Sequence, residues 1–215
     1  MRRLMLMATV VLPLAACSTH KAYLNPQFSA VAAPHKEIAV LPFAVTISRE
    51  RLPRHITPEE ILKMEREEGR AVQVQLHQQL LQRSREYTVA FQDVARTNAL
   101  LAQAGLQQDS LQTRTREEIA RILGVDGIVS GTISRSKPMA TGTAIALAVL
   151  FGGAFMGPTN QVSVDLSLHN GADGILLWTF SNKYSGSLGS TPERLAEAMV
   201  GSIARRLPYQ PTPQR

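Results

Sequence analysis

Residues 115–134 read Thr115-Arg116-Glu117-Glu118-Ile119-Ala120-Arg121-Ile122-Leu123-Gly124-Val125-Asp126-Gly127-Ile128-Val129-Ser130-Gly131-Thr132-Ile133-Ser134. A threonine followed three places later by a glutamate is a capping box, and it opens a helix through Ile119, Ile122 and Leu123. Gly124 ends that helix, because a residue without a side chain enters the left-handed turn at no steric cost. Residues 126–134 then form a β-prone run, so a short helix feeds directly into a strand. Strand and helix in alternation predict an α/β domain.

The same alternation extends to both sides. Upstream, Glu37 to Val45 is an almost purely apolar run that suits a strand buried on both faces, with Pro42 near its end. Thr57-Pro58-Glu59-Glu60 predicts a helix to about Ser84, with Ile61, Met64, Val72, Leu76 and Leu80 near one face and Gly69 as its weak point. Tyr87 to Phe91 predicts a strand, and Asp93 caps a helix through Leu100 and Leu101 that ends near Gly105. Downstream, residues 162–168 alternate apolar and polar, Asn170 to Gly174 make a turn, and Ile175 to Tyr184 return as the hairpin partner. Thr191-Pro192-Glu193 opens a last helix through Leu207. The expected fold class is therefore α/β: a single domain over residues 37–207, a mixed β-sheet covered by helices, with a Gly-rich apolar insertion before the C-terminal hairpin.

The start of the chain carries an address. Met1-Arg2-Arg3 is basic, Leu4 to Ala16 is an uncharged apolar run of 13 residues, and small residues precede Cys17. This is the pattern of a secretory signal, too short to span a bilayer, which takes about 20 residues. Leu14-Ala15-Ala16-Cys17 also resembles the lipobox of bacterial lipoproteins, in which the cysteine is acylated and becomes the mature amino terminus. An ordinary signal peptide with an incidental cysteine is the alternative. The resemblance implies a signal peptide over 1–16, fatty acyl chains (palmitate among them) on Cys17, and a membrane partner reached through that lipid. Ser18 stands where enteric inner-membrane lipoproteins carry aspartate, which implies the periplasmic face of the outer membrane. Residues 17–36, with Pro26 and Pro34, read as lipidated terminus and tether, and 208–215, with three prolines, as a disordered tail.

Composition narrows the function classes. Cys17 is the only cysteine, so no internal disulfide is available in an oxidising compartment. The formal net charge is +6, and removal of Arg2 and Arg3 leaves 21 basic against 17 acidic residues, or +4. That balance suits an anionic surface and is too dilute to argue for nucleic acid. Aromatic residues make up 5% of the chain, which disfavours a stacking-based reader of sugars or bases.

From Pro138 to Val164 the chain runs 27 residues without a formal charge. A transmembrane helix is one reading, opposed by its glycines, its bookends Pro138 and Pro158, and the separation it would force on strands expected to pair. A connection folded back on the core is a second. The third is an apolar flap over about 138–160 that meets a membrane or another subunit, with Leu147, Leu150, Phe151 and Phe155 as the interaction surface.

Residues suited to catalysis are scattered. His20, His35, His55, His77 and His169 show no metal-ligand spacing and read as solvated or cap-region histidines. Ser130 falls one place late for a nucleophile elbow, and Gly124, Gly127 and Gly131 precede a strand rather than a helix, the reverse of a phosphate loop. Asp126, Asp165 and Asp173 are single carboxylates near strand ends or turns, and Trp178 reads as a core anchor. The expectation is a chain that is not an enzyme, with no catalytic, cofactor or metal site.

Taken in order, Ile38-Ala39-Val40-Leu41-Pro42-Phe43, the helix-to-strand passage 122–133, and Val164-Asp165-Leu166-Ser167-Leu168 with Gly174-Ile175-Leu176-Leu177-Trp178 resemble the envelope lipoproteins whose domain is similar to the N-terminal domain of TolB. That group includes the penicillin-binding-protein activator lipoprotein and the curli secretion-channel lipoprotein. The resemblance covers roughly residues 37–206 and implies a non-catalytic module that docks on other envelope proteins or on itself. The chain departs from the group in lacking a long Pro-rich linker, and its uncharged segment lacks the alternation of a β-barrel hairpin. The expected function is an outer-membrane lipoprotein acting as a periplasmic interaction or assembly module. A self-assembling secretion or channel component is the alternative, and an undetected cell-wall hydrolase the third.

Overall fold

The structure, a computed structural model, describes residues 21–48, 56–135, 161–185 and 192–210. Its elements follow in the order β1 (Lys21–Leu24), α1 (Phe28–Ala32), β2 (Glu37–Val40), β3 (Ala44–Ile47), α2 (Pro58–Gln82), β4 (Ala90–Phe91), α3 (Val94–Gln103), α4 (Arg116–Leu123), β5 (Gly127–Arg135), β6 (Gln161–Asn170), β7 (Leu176–Ser185) and α5 (Pro192–Ala204). The seven strands form one mixed sheet in the order β1-β7-β6-β5-β2-β4, with β3 also paired to β5. β2 and β3 run parallel to β5, whereas β5-β6-β7-β1 is antiparallel throughout. The expected α/β class with a mixed sheet and helical cover is the observed one.

Local chemistry accounts for the helices. The Thr57 hydroxyl accepts from the Glu60 N–H while the Glu60 carboxylate accepts from the Thr57 N–H, so two orphan donors of α2 are satisfied reciprocally. Asp93 caps α3 by accepting from the Arg96 N–H, Thr115 caps α4 by accepting from the Glu118 N–H, and Gly124 closes α4 at φ +67°. Helices α2 and α5 cover one face of the sheet, with Val72, Leu76, Leu80, Met199 and Ile203 in the larger core. On the other face a smaller core joins Leu101, Ile119 and Leu123 of α3 and α4 to Ala39, Leu41 and Ile128. The apolar run of β2 is thus buried on both sides, Ile38 and Val40 one way and Ala39 and Leu41 the other.

Several boundaries differ from the sequence reading, each for a long-range reason. The single strand expected over 37–45 is two, because Pro42 has no N–H for the ladder and the Phe43 N–H turns to the Gly69 carbonyl of α2. The expected strand 87–91 shrinks to two residues, since Thr88 N–H bonds the Tyr209 carbonyl instead. Residues 21–36 are not a tether: β1 pairs with β7 from Lys21↔Ser181 to Leu24↔Trp178, and Asn25 adds bonds to the carbonyls of Leu176 and Leu177. Nor is the tail free from Pro208 onward, because Tyr209 is only 2% exposed. The last helix stops at Ala204, short of Leu207.

Gly69, expected as a weak point, is a close-contact site. A β-carbon there would meet the Phe43 carbonyl oxygen and the Gln108 side chain, so the helix can approach β3 only without one.

Candidate functional site

The strand register gives the sheet two distinct ends. At one, Gly127 of β5 pairs with Asn170 of β6, beside the β6–β7 turn. At the other, Ile47, Arg135, Val162 and Tyr184 stand in one row across β3, β5, β6 and β7. The first end carries a groove and the second carries the points where the chain leaves the described fold.

The groove holds about 520 Å³ and is lined by Val31 of α1 with Pro34 and His35 just after it, by Ala120, Arg121 and Gly124 at the close of α4, and by Asp126, Asn170 and Ala172 among others. Two of its lining residues, His35 and Asn170, belong to a directed chain of hydrogen bonds that continues beneath it. Asn170 donates through Nδ2 to Asp173 at 2.8 Å, which leaves its Oδ1 to accept from His35 Nε2 at 3.1 Å. His35 Nδ1 therefore accepts from the Tyr209 hydroxyl, at 2.6 Å. The Tyr209 ring also meets Phe28 edge-on at 5.5 Å, so the polar chain is packed from the side by α1. Four segments distant in sequence converge here: residue 35, residues 120–126, residues 170–173 and residue 209.

Asp126 anchors the groove electrostatically. Its Oδ2 accepts from the N–H groups of Lys36 and Glu37, at 2.7 and 3.0 Å. Burial alone would raise its carboxyl, but these two donors and the Lys36 charge outweigh it and hold it below the usual carboxylate range. Burial, then the Asp126 charge, push the Tyr209 phenol well above its ordinary value, which keeps it a neutral donor.

The residues singled out from sequence are dispersed. Cys17, Leu147, Leu150, Phe151 and Phe155 lie outside the described residues, as do His20 and His55. His35 and His77 are buried at 7% exposure, which corrects their reading as solvated; His35 is committed to the groove network. His169 is half-buried in β6, with its pKa lowered by burial and by the Arg116 charge. Ser130 is a strand residue whose hydroxyl meets that of Ser167 at 3.0 Å, and Trp178 is a core residue, both as expected. Asp165 is exposed on β6, away from Asp126 and Asp173 at the groove end. Among the described residues, no three of His, Cys, Asp and Glu come together as metal ligands. None of their helices is long and apolar enough to cross a membrane.

No protein-family model matches the chain. No curated relative matches its sequence either. Solved structures do. The PelC dodecamer from Paraburkholderia phytofirmans is similar at 13% identity and a TM-score of 0.49, covering 90% of this chain and 99% of that one. Lipoprotein GNA1162 from Neisseria meningitidis is similar at 14% identity and a TM-score of 0.40, over 79% of this chain and 94% of that one. The LpoB C-terminal domain from Salmonella enterica is similar at 16% identity and a TM-score of 0.32, over 75% and 93%. The fold class rests on the strand pairing described above, independently of these likenesses.

Around the groove, Asp126, Asp173 and the Asn170–Gly174 turn each carry a local signal in the sequence. His35 and Tyr209 gave no local signal, because their roles come from partners more than a hundred residues away.

Proposed function

We propose that this chain is a non-catalytic outer-membrane lipoprotein, anchored through Cys17, that serves as an interaction or assembly module on the periplasmic face of the envelope. The observation that carries the reading is the polarity of the sheet. β1 begins four residues after Cys17, and the uncharged stretch 138–160 is connected to Arg135 of β5 and Gln161 of β6. Both connections lie at the end of the sheet opposite the polar groove. Anchor and apolar stretch are therefore linked to one end, and a recognition surface to the other.

The test is a Cys17→Ala variant followed by metabolic lipid labelling and membrane fractionation, together with crosslinking in intact envelopes from a photoreactive residue at Ala172 in the groove. Loss of label and of membrane association, with a discrete crosslinked species from Ala172, supports the proposal. Unchanged labelling defeats the anchor, and a clean Ala172 sample defeats the docking role. The self-assembling alternative is favoured by the connection of the uncharged stretch to the two central strands at the anchor end, where copies on one membrane would present it at the same level. Sizing the detergent-solubilised protein separates the two, because a ring gives one large species.

A further inference from the structure

We infer that the rim of the sheet marked by the row Ile47, Arg135, Val162 and Tyr184 is the end turned toward the phospholipid surface that holds the anchor, so that the groove faces away. The inference rests on acylation at Cys17, proposed above, and adds to it an orientation.

The register decides it. β1 is antiparallel to β7, and Lys21 pairs with Ser181, so the chain before Lys21 heads toward the Ser185 end of β7. Four residue steps join Cys17 to Lys21, a reach of at most about 14 Å at about 3.5 Å per residue. Four steps also separate Ser181 from Ser185. Cys17 at full reach therefore comes level with the last residue of β7 and cannot stand clear of it. A bilayer holding acyl chains at Cys17 is therefore kept near the rim as long as β1 keeps its pairing with β7 and the Asn25 bonds behind it.

Charge refines the pose. Lys21 and Lys183 are exposed on the same face of the sheet next to the rim, and neither has an ion-pair partner among the described residues. Anionic headgroups attract this lysine pair on the β1–β7 side. The groove then lies roughly 26 Å above the rim, the eight residue steps from Arg135 back to Gly127 at about 3.3 Å each.

The test uses full-length acylated protein in vesicles of phosphatidylethanolamine and phosphatidylglycerol. Acylated Cys17 leaves an introduced thiol as the one reactive cysteine, so a fluorophore is placed at Ser163→Cys near the rim or at Ala172→Cys in the groove. A lipid carrying a spin label on its headgroup quenches at short range. Quenching at residue 163 is expected to exceed that at residue 172 by about tenfold, given the roughly 25 Å of strand between them. Adding Lys21→Glu and Lys183→Glu is expected to reduce it. Equal quenching at the two sites, or none at residue 163 in protein that floats with the vesicles, overturns the orientation and leaves the anchor standing. Quenching at residue 163 that disappears as protein density rises assigns the rim to a second copy and also overturns it. Protein that neither carries acyl mass nor floats overturns the anchor itself.

Discussion

The His35 ring and the Tyr209 hydroxyl, 174 positions apart in sequence, are joined by a buried hydrogen bond of 2.6 Å. Through it the segment that follows the amino-terminal strand and the segment that follows the last helix become one structural unit. Removing the hydroxyl leaves His35 Nδ1 an unpaired buried acceptor. Tyr209→Phe is expected to lower stability by about 1–2 kcal/mol, read from urea denaturation. Tyr209→Ala also removes the packing on Phe28 and is expected to cost about 3–5 kcal/mol. A tail that contributes nothing would show neither loss.

Gly69→Ala separates helix propensity from packing. Propensity alone predicts a gain of about 1 kcal/mol in the middle of α2. The added β-carbon, however, meets the Phe43 carbonyl, the residue whose N–H bonds the Gly69 carbonyl at 3.1 Å. A net loss of about 1–3 kcal/mol in chemical denaturation is therefore expected. A stabilised variant would refute the close approach of α2 to β3.

Alkaline pH should weaken the fold through two tyrosines. Burial, then the Glu86 charge, push the Tyr87 phenol up to about 12 against an ordinary 10.0, and Tyr209 is raised in the same direction. The folded chain thus keeps protons that the unfolded chain releases near pH 10. Their contribution is complete below pH 10 and is lost as pH rises through the folded values. Denaturation midpoints measured at pH 9 and pH 11 should fall, and the double variant Tyr87→Phe/Tyr209→Phe should flatten that fall.

At the acid end Asp126 acts with the opposite sign. Its lowered carboxyl contributes stability above the ordinary carboxylate value near 3.8, and the contribution is lost as pH falls through the lower folded value. Asp126→Asn should reduce stability at neutral pH and narrow the difference between pH 6 and pH 3. Identical profiles for the two proteins would show that the Lys36 and Glu37 N–H groups do not depend on the charge.

Replacing Leu147, Leu150 and Phe151 together by serine tests the uncharged stretch. If it is an interaction surface, the variant keeps its circular dichroism and melting temperature and changes oligomer size or membrane association. Unfolding of the triple variant would make the stretch part of the core.

What could be read from sequence was whatever chemistry acts over a few residues. The caps at Thr57, Asp93 and Thr115 and the glycine at 124 are local devices, and each appears where its pattern stands. The alternation of β6 and the two-sided burial of β2 were likewise visible, because one sheet face or two imposes its period on the side chains. β1 was not legible: Lys21, Ala22, Tyr23 and Leu24 are all exposed, so burial leaves no period on them. The strand exists through backbone pairing with β7. The groove was missed for a related reason, since no window of sequence contains both His35 and either of its partners.

The first strand completes the sheet at one edge by joining a partner that comes near the end of the chain, and the His35–Tyr209 contact spans almost the whole polypeptide. A chain emerging amino terminus first therefore cannot close its fold until nearly all of it has emerged. Contacts of such high sequence separation are slow to form, because a long loop must be ordered before they repay it. Until residues 178–181 and 209 have emerged, β1 and His35 are without these partners, and any enzyme that acts on that beginning in the meantime meets it as open chain.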